Sequence, residues 1–218
     1  VDVDANILTD SFLAAQSSQM QDAFSKLSRR VPLGSTDMAK AIQAATESYT
    51  EPGSNRRAIL YIGDGLSAAK TTSSPAFQDQ VAECREKQIP FNSFAIGPNT
   101  DPLFLATLAN QTGGRLLTDG ASITPDVAAS HLVKAVLGTV IWPESSDIKW
   151  PEGVTAFPSP LQPLRTDRDN IVLGTGKAIS GSKLTVSGSV GDQQVHLEFN
   201  IPKSSANDAN SYLPHLVE

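Results

Sequence analysis

The run Arg57-Ala58-Ile59-Leu60-Tyr61-Ile62, followed by Gly63-Asp64-Gly65, gives the first indication of the fold class. Its first six residues predict a strand that is apolar nearly throughout, as strands buried in a parallel sheet are. The two glycines and the carboxylate that follow predict a tight loop where the strand ends. Because open parallel sheets bind ligands at the carboxyl ends of their strands, Asp64 is the first candidate site residue.

Segments with the period of a helix lie on both sides of this strand. The upstream helices are predicted to carry Met20, Phe24 and Leu27, with a cap at Ser17-Ser18, and then Met38, Ile42, Ala45 and Tyr49. Downstream, the first predicted helix carries Phe77, Val81 and Cys84. It is followed by a strand over 91–96, a helix over 102–112 that ends at Gly113-Gly114, a strand over 115–118 and a helix over 125–138. Helices and strands that alternate at this spacing indicate βαβ units and therefore an α/β fold with a parallel sheet.

The chain changes character near residue 140. Proline becomes frequent there and helical periodicity vanishes. Segments 183–190 and 193–201 flank Gly191-Asp192 and predict a hairpin, and residues 170–174 predict another strand. We therefore expect an α/β domain over residues 1–140 and a small β-rich, sandwich-like domain over 141–218.

Composition restricts the classes of function. The 218 residues include 17 Lys+Arg and 23 Asp+Glu, a formal charge of −6, and 39% are hydrophobic. This balance fits a folded chain with a core and offers no basic surface for nucleic acid. No apolar run is long enough to cross a membrane, and one cysteine excludes an internal disulfide. Composition does not predict an oligomeric state.

A second candidate site residue is Thr36, in the loop 32–37 that leads into a helix. A hydroxyl and a carboxylate at neighbouring loop tips are hard oxygen ligands suited to Mg²⁺, which takes few protein ligands and keeps waters. The alternative is that Thr36 or Ser35 caps the helix and that Asp64 caps the next segment. The spacing alone leaves both interpretations open.

Four segments resemble a known family in the right order. Residues 31–38 and 58–65 look like the second and third loops of a von Willebrand factor type A domain, with Gly63 where that family usually has Thr. Residues 89–97 resemble the family's next strand, and residues 105–114 resemble the helix and Gly-Gly turn before its last strand. The resemblance covers roughly residues 1–138 and implies a Rossmann-like sheet with helices on both faces.

The resemblance also implies a metal-ion-dependent adhesion site. In such a site Thr36 binds Mg²⁺ or another divalent cation, and Asp64 binds it directly or through water. A protein partner completes the coordination with an acidic residue. The supporting loop residues are Gly34, Ser35, Asp37, Gly63 and Gly65.

One part of the family's pattern is missing from the chain. The first loop, Asp-x-Ser-x-Ser at the end of the first strand, does not occur. We therefore expect residues 1–9 to form the second strand, with the first strand, its helix and three metal ligands upstream. The site would be incomplete in this chain and would bind metal weakly or not at all.

The β-rich part carries a second resemblance. Segments 156–165 and 170–174 are similar to the region after the A domain in inter-alpha-trypsin-inhibitor heavy-chain-like proteins, including bacterial ones. That resemblance favours an extracytoplasmic or cell-surface location. The charge run Arg165, Asp167, Arg168 and Asp169 is expected to be solvated, as most such runs are; the alternative is a specific salt-bridged role.

Three functions follow as hypotheses. The first is non-enzymatic protein recognition at a cation site, and the second is a metal-independent scaffold within a larger exported protein. The third is a hydrolase on a Rossmann-like sheet that uses Asp64, although the companion motifs of known phosphatases and serine hydrolases are absent. Cys84 falls on the apolar stripe of its helix, which predicts a buried structural thiol.

Overall fold

The computed structural model describes residues 5–31, 36–49, 56–67, 74–120, 123–176, 181–201, 209 and 212. Before residue 140, helices and strands alternate in that part of the chain. In order they are α1 (Ser18–Ser28), α2 (Met38–Glu47), β1 (Ile59–Gly63), α3 (Pro75–Glu86), β2 (Phe91–Ala95), α4 (Pro102–Thr112), β3 (Leu116–Thr118) and α5 (Pro125–Leu137). The α/β architecture predicted from the sequence is confirmed.

The three strands form one parallel sheet in the order β1-β2-β3. Ile59 pairs with Phe91 and Gly63 with Ala95, so the carboxyl ends of β1 and β2 lie side by side. The main core lies on one face, where α2, α3 and α4 bury Met38, Val81 and Leu105 among others. Helix α5 contacts β2 but contributes none of its buried residues to this core, which places it on the opposite face.

Local signals in the sequence set the helix ends. The side chains of Ser17, Asp37, Ser74 and Asp101 each accept a backbone N–H in the first turn of α1 to α4, which satisfies donors that have no partner within a helix. Helix α4 ends at Gly113, whose φ of 74° is left-handed. A Cβ there would lie 2.7 Å from Val140 Cγ1, so the glycine also permits close packing.

Two predictions about burial are wrong. Strand β1 is an edge strand within the described sheet, and its Leu60 and Ile62 are 41% and 55% exposed. Helix α1 forms as predicted, but Phe24 and Leu27 are exposed and only Ala23 is buried. In both cases the predicted element type is correct, but the apolar side chains are not buried as their pattern predicts.

The expected second strand at residues 1–9 is also not observed where it can be checked. Residues 5–9 form no strand, and residues 1–4 lie outside the described residues. The strand prediction is therefore wrong for residues 5–9.

After α5 the chain forms an antiparallel β region. Its strands are β4 (Val140–Lys149), β5 (Val154–Phe157), β6 (Leu164–Arg165), β7 (Leu173–Gly176), β8 (Lys183–Val190) and β9 (Gln193–Asn200). One sheet has the order β6-β4-β8-β9, and β5 pairs with β7. The predicted hairpin is β8-β9, and Val186 and Leu197 pack into its core, whereas Phe199 is 47% exposed.

The charge run is not simply solvated, because the Arg165 side chain has no exposed surface. Its Nε lies 2.7 Å from Asp167 Oδ1, and its Nη2 donates to Asp167 Oδ2 at 2.9 Å. The same guanidinium donates to the carbonyl oxygens of Gly113 and Ala135 at 2.9 and 2.8 Å. Arg165 therefore binds the ends of α4 and α5 to strand β6, and the expectation of a solvated run is corrected.

Asp167 is the counterion that makes this burial tolerable. Hydrogen bonds from Arg165 lower the pKa of Asp167 to about 2 from an ordinary 3.8, despite the raising effect of partial burial. Arg115 adds a second cation, with Nη1 3.3 Å from Asp167 Oδ2. Gly138 is matched to this network, because a Cβ there would collide with Arg165 Nη2.

We expect Asp167→Asn to lower the free energy of unfolding by about 2–3 kcal/mol, because it leaves a buried guanidinium without its counterion. The cost stays below that of a fully buried pair because Asp167 is 29% exposed. Urea denaturation at pH 7 measures it. Asp169→Asn, in the same run but exposed, is the matched control and should change stability by less than about 0.5 kcal/mol. Equal effects of the two variants would contradict the assigned role of Arg165.

The same pair predicts a pH dependence. A carboxylate with a depressed pKa stabilises the folded state above its unfolded-state pKa, and this stabilisation is lost as the pH falls through the folded-state value. The stability difference between the unmodified chain and Asp167→Asn should therefore be constant near neutral pH. It should shrink below the unfolded-state value of 3.8, toward about 2. Urea titrations at a series of pH values check this, and a difference independent of pH would exclude Asp167 as the titrating group.

Candidate functional site

Asp64 lies at the carboxyl end of β1, where the sequence places it. Its Oδ1 accepts the backbone N–H of Leu66 at 3.0 Å, so the side chain closes the turn that follows the strand. Its carbonyl oxygen accepts the N–H of Asp101 at 2.8 Å. The loop after β1 is therefore fixed to the residue that caps α4.

The structure brings the Thr36 segment next to this loop. The N-cap of α2 is Asp37 and not Thr36 or Ser35, the residues that the capping interpretation named; its Oδ1 accepts the N–H of Lys40 at 3.1 Å. The next residue, Met38, directs its N–H to Ser67 Oγ at 3.4 Å, a long contact that joins the start of α2 to the loop after Asp64. Thr36 itself is half-buried, and Gly34 and Ser35 lie outside the described residues.

Gly63 and Gly65, on either side of Asp64, are each favoured for a different physical reason. A Cβ on Gly63 would lie 2.5 Å from the Tyr61 hydroxyl oxygen. Gly65 has a φ of 73° and donates its N–H to that hydroxyl at 3.1 Å. Both glycines of the loop therefore lie against the Tyr61 side chain. The sequence pattern places Tyr61 in the strand and does not identify it as a site residue.

Two further carboxylates lie at the ends of neighbouring elements. Asp101 caps α4, with Oδ1 3.0 Å from the N–H of Phe104. Asp119 follows β3, donates its N–H to Ala95 and accepts the N–H of Gly120. Sequence reasoning missed both, although each stands directly after a strand or before a helix. Asp101 is used as a helix cap and Asp119 in a local turn. The described residues contain no group of three or more His, Cys, Asp or Glu that could hold a metal ion.

The local donor set fits a hard cation only in part. Asp64 offers one carboxylate, and Thr36 offers a hydroxyl on the adjoining segment. Capping and metal binding are compatible at Asp64, because the cap uses Oδ1 and a carboxylate has two oxygens. Mg²⁺ demands six oxygens in octahedral geometry. Most of the coordination sphere would therefore come from water or from groups beyond Asp64 and Thr36.

The other reactive side chain, Cys84, is enclosed in the main core. It is fully buried on α3, and its Sγ lies 3.7 Å from Thr46 Oγ1. Burial raises the pKa of the thiol, which disfavours the nucleophilic thiolate. This geometry fits the structural role predicted for Cys84.

A family profile and a solved structure that match the chain both belong to the von Willebrand factor type A domain. The profile of the von Willebrand factor type A domain matches residues 1–118, more than half of the chain. The chain also resembles the solved structure "von Willebrand factor type A from Catenulispora acidiphila", with a TM-score of 0.54 and 13% identity. That match covers 88% of this chain and 52% of the other, so the chain spans about half of that protein's length.

A second solved structure is less similar. The human COPII-coat protein Sec24c matches with a TM-score of 0.48 and 12% identity, over 90% of this chain and 34% of the other. No protein with a curated description matches the chain. Within the described residues, none of the helices has the length and apolar character needed to cross a membrane.

The burial of Cys84 generates a prediction. We expect the native chain to react with a thiol reagent such as dithiobis-nitrobenzoate only as fast as it unfolds, because the thiol is both buried and protonated. The reaction in denaturant should reach one thiol per chain, since Cys84 is the single cysteine. Absorbance at 412 nm follows both reactions. Rapid native-state modification would show that Cys84 is accessible.

Proposed function

The chain belongs to the von Willebrand factor type A domain family, and from that premise we propose that it is a non-enzymatic protein-recognition module. The binding surface is the carboxyl end of the parallel sheet. Support comes from the joining of two loops there: Met38, at the start of α2, contacts Ser67 in the loop that carries Asp64. Two separate chain segments thus present hydroxyl and carboxylate groups at one edge.

We further propose that a divalent cation, Mg²⁺ or a similar ion, assists recognition. Thr36 and Asp64 would hold the ion, with Gly34, Ser35, Asp37, Gly63 and Gly65 supporting their loops. A carboxylate of the protein partner would complete the coordination. The chemistry favours this arrangement, because hydroxyl and carboxylate oxygens suit a hard cation and few protein ligands leave positions open for a partner.

Two alternatives remain as hypotheses. A metal-independent scaffold requires only the surface of the fold, and the capping roles of Asp37 and Asp64 fit it equally well. A hydrolase that uses Asp64 requires a nucleophile or an activated water beside the carboxylate. The one cysteine is buried away from solvent and does not supply that nucleophile.

The setting of the module is also a proposal. The similarity of segments 156–165 and 170–174 to inter-alpha-trypsin-inhibitor heavy-chain-like proteins supports an extracytoplasmic or cell-surface location. It also supports a division into an α/β domain over 1–140 and a β domain over 141–218. In the structure α5 ends at Leu137 and β4 begins at Val140, which is where such a division would fall.

Magnesium binding tests the cation proposal directly. For a dissociation constant of about 1 mM, about 10 mM Mg²⁺ would stabilise the fold by about 1.4 kcal/mol. This corresponds to a rise in Tm of about 3–5 °C for a chain of this size. Differential scanning calorimetry with and without Mg²⁺ measures the shift. Asp64→Ala should abolish it.

The matched control is Asp192→Ala, which removes an exposed carboxylate from the β8-β9 turn, far along the chain from the proposed site. This variant should retain the full Mg²⁺ shift. A chain that shows no shift, or a shift that survives Asp64→Ala, would overturn cation binding at Asp64 and leave the metal-independent scaffold. Turnover of a phosphate or acyl ester that is lost in Asp64→Ala would instead favour the hydrolase.

A further inference from the structure

The side chain of Tyr61 connects the core to the loop that carries Asp64. The ring lies against the main core and stacks on Phe91, with 6.3 Å between ring centroids. Tyr61 and Gly63 project from the same face of β1, because side chains alternate along a strand. The ring extends toward the end of the strand, passes over Gly63 and brings its hydroxyl to the N–H of Gly65 at 3.1 Å.

The Tyr61 ring occupies the space that a side chain at position 63 would need. Any side chain at position 63 would place its Cβ 2.5 Å from the Tyr61 hydroxyl oxygen and 2.8 Å from Cζ. Both distances are shorter than real Cβ contacts, so the tyrosine ring would have to leave its position. With the ring in this position, only glycine fits at position 63 without a shift of the Tyr61 side chain. The resembled motif has threonine at this point, so Gly63 and the position of the Tyr61 ring are linked.

Asp64 lies between the two residues that this arrangement fixes. Gly63 is covered by the ring, and Gly65 is held by the hydroxyl. The carboxylate is further restrained by the Leu66 N–H, and the Asp64 carbonyl oxygen by the Asp101 N–H. Burial raises the pKa of the Tyr61 hydroxyl and the nearby Asp64 charge adds to this, whereas the hydrogen bond from the Gly65 N–H lowers it; the net shift is upward.

We propose that Tyr61 is a positioning residue, whose hydroxyl holds the Gly63–Gly65 turn and thereby sets the direction of the Asp64 carboxylate. This inference rests on the proposed function in one respect, because the directed carboxylate is the one that would hold the cation. The hydroxyl does not itself contact the ion. Its contact is with the backbone of the turn, at the Gly65 N–H.

Tyr61→Phe tests the role, because it removes the hydroxyl and keeps the ring. The chain offers a matched control in Tyr49→Phe. The Tyr49 hydroxyl also binds backbone, at Ala58, the residue just before β1. It donates to the Ala58 carbonyl oxygen at 2.8 Å and accepts the Ala58 N–H at 3.3 Å. It does so before β1 begins, whereas Asp64 follows the strand's end. Both variants lose a tyrosine hydroxyl bound to backbone, and only Tyr61→Phe affects the Asp64 turn.

Two readouts separate positioning from simple stability. Amide hydrogen exchange by NMR should show about fivefold faster exchange at Gly65 in Tyr61→Phe, the equivalent of one lost hydrogen bond, and no change there in Tyr49→Phe. Titration with Mn²⁺, followed by electron paramagnetic resonance, should show affinity reduced by about the same factor in Tyr61→Phe alone. Equal behaviour of the two variants in Gly65 exchange would overturn the proposal.

A second pair of variants tests the coupling without any cation. Gly63→Thr should lower Tm in the unmodified chain, because the new Cβ meets the tyrosine hydroxyl. The same substitution should be markedly less costly in a Tyr61→Val background, where the ring is absent. If the two costs are the same, within error, the coupling of Tyr61 to Gly63 is wrong.

Failure of the proposed function is distinguishable from failure of this inference. An unmodified chain that binds no Mn²⁺ would remove the cation from the proposal. The Gly65 exchange and the Gly63→Thr comparison would still decide whether Tyr61 holds the turn. Conversely, Mn²⁺ binding that is lost in Asp64→Ala but unchanged in Tyr61→Phe would support the cation site and reject Tyr61 as its positioning residue.

Discussion

The buried guanidinium of Arg165 is the constraint on which the arrangement of the molecule depends. A charge without solvent must be matched by acceptors, and here they come from Asp167, from Gly113 at the end of α4 and from Ala135 in α5. These groups belong to elements on both faces of the parallel sheet and to the β region. Separating α4 or α5 from strand β6 would leave buried N–H groups of the guanidinium without acceptors. The α/β part and the first strands of the β region are therefore held in one geometry.

The candidate site occupies the carboxyl end of the sheet, and the loop that carries it is defined largely by hydrogen bonds to backbone. Two tyrosines bracket β1: Tyr49 binds Ala58 before the strand and Tyr61 binds Gly65 after it. The carboxylates of Asp64 and Asp101 close the following turns. Rigidity at this edge thus comes from groups anchored in the core, while the polar atoms remain near the surface. Such an arrangement suits recognition, because little ordering is required when a partner binds.

Most element types were predictable because their signals are local. Ser17 and Gly113 mark helix ends by their own hydrogen-bonding and conformational preferences, and the period of the apolar residues distinguishes α3 from β2. Burial was less predictable. Leu60 and Ile62 belong to a continuous apolar run, yet they are exposed, because β1 lies at the edge of the described sheet and α5, the helix on that face, packs against β2. The order of strands in a sheet is a non-local property, and no residue within β1 records it.

The α/β class and the change to β structure near residue 140 are predictable from periodicity. The candidate pair Thr36 and Asp64 is predictable from the chemistry of residues at strand and helix ends. Packing in three dimensions, in contrast, buries Arg165, brings Ser67 to the start of α2 and places the Tyr61 ring against Gly63. Arg165 and Gly113 are 52 residues apart, and Ser67 and Met38 are 29 apart. Contacts over such separations depend on how the chain packs, and a local pattern carries no record of them.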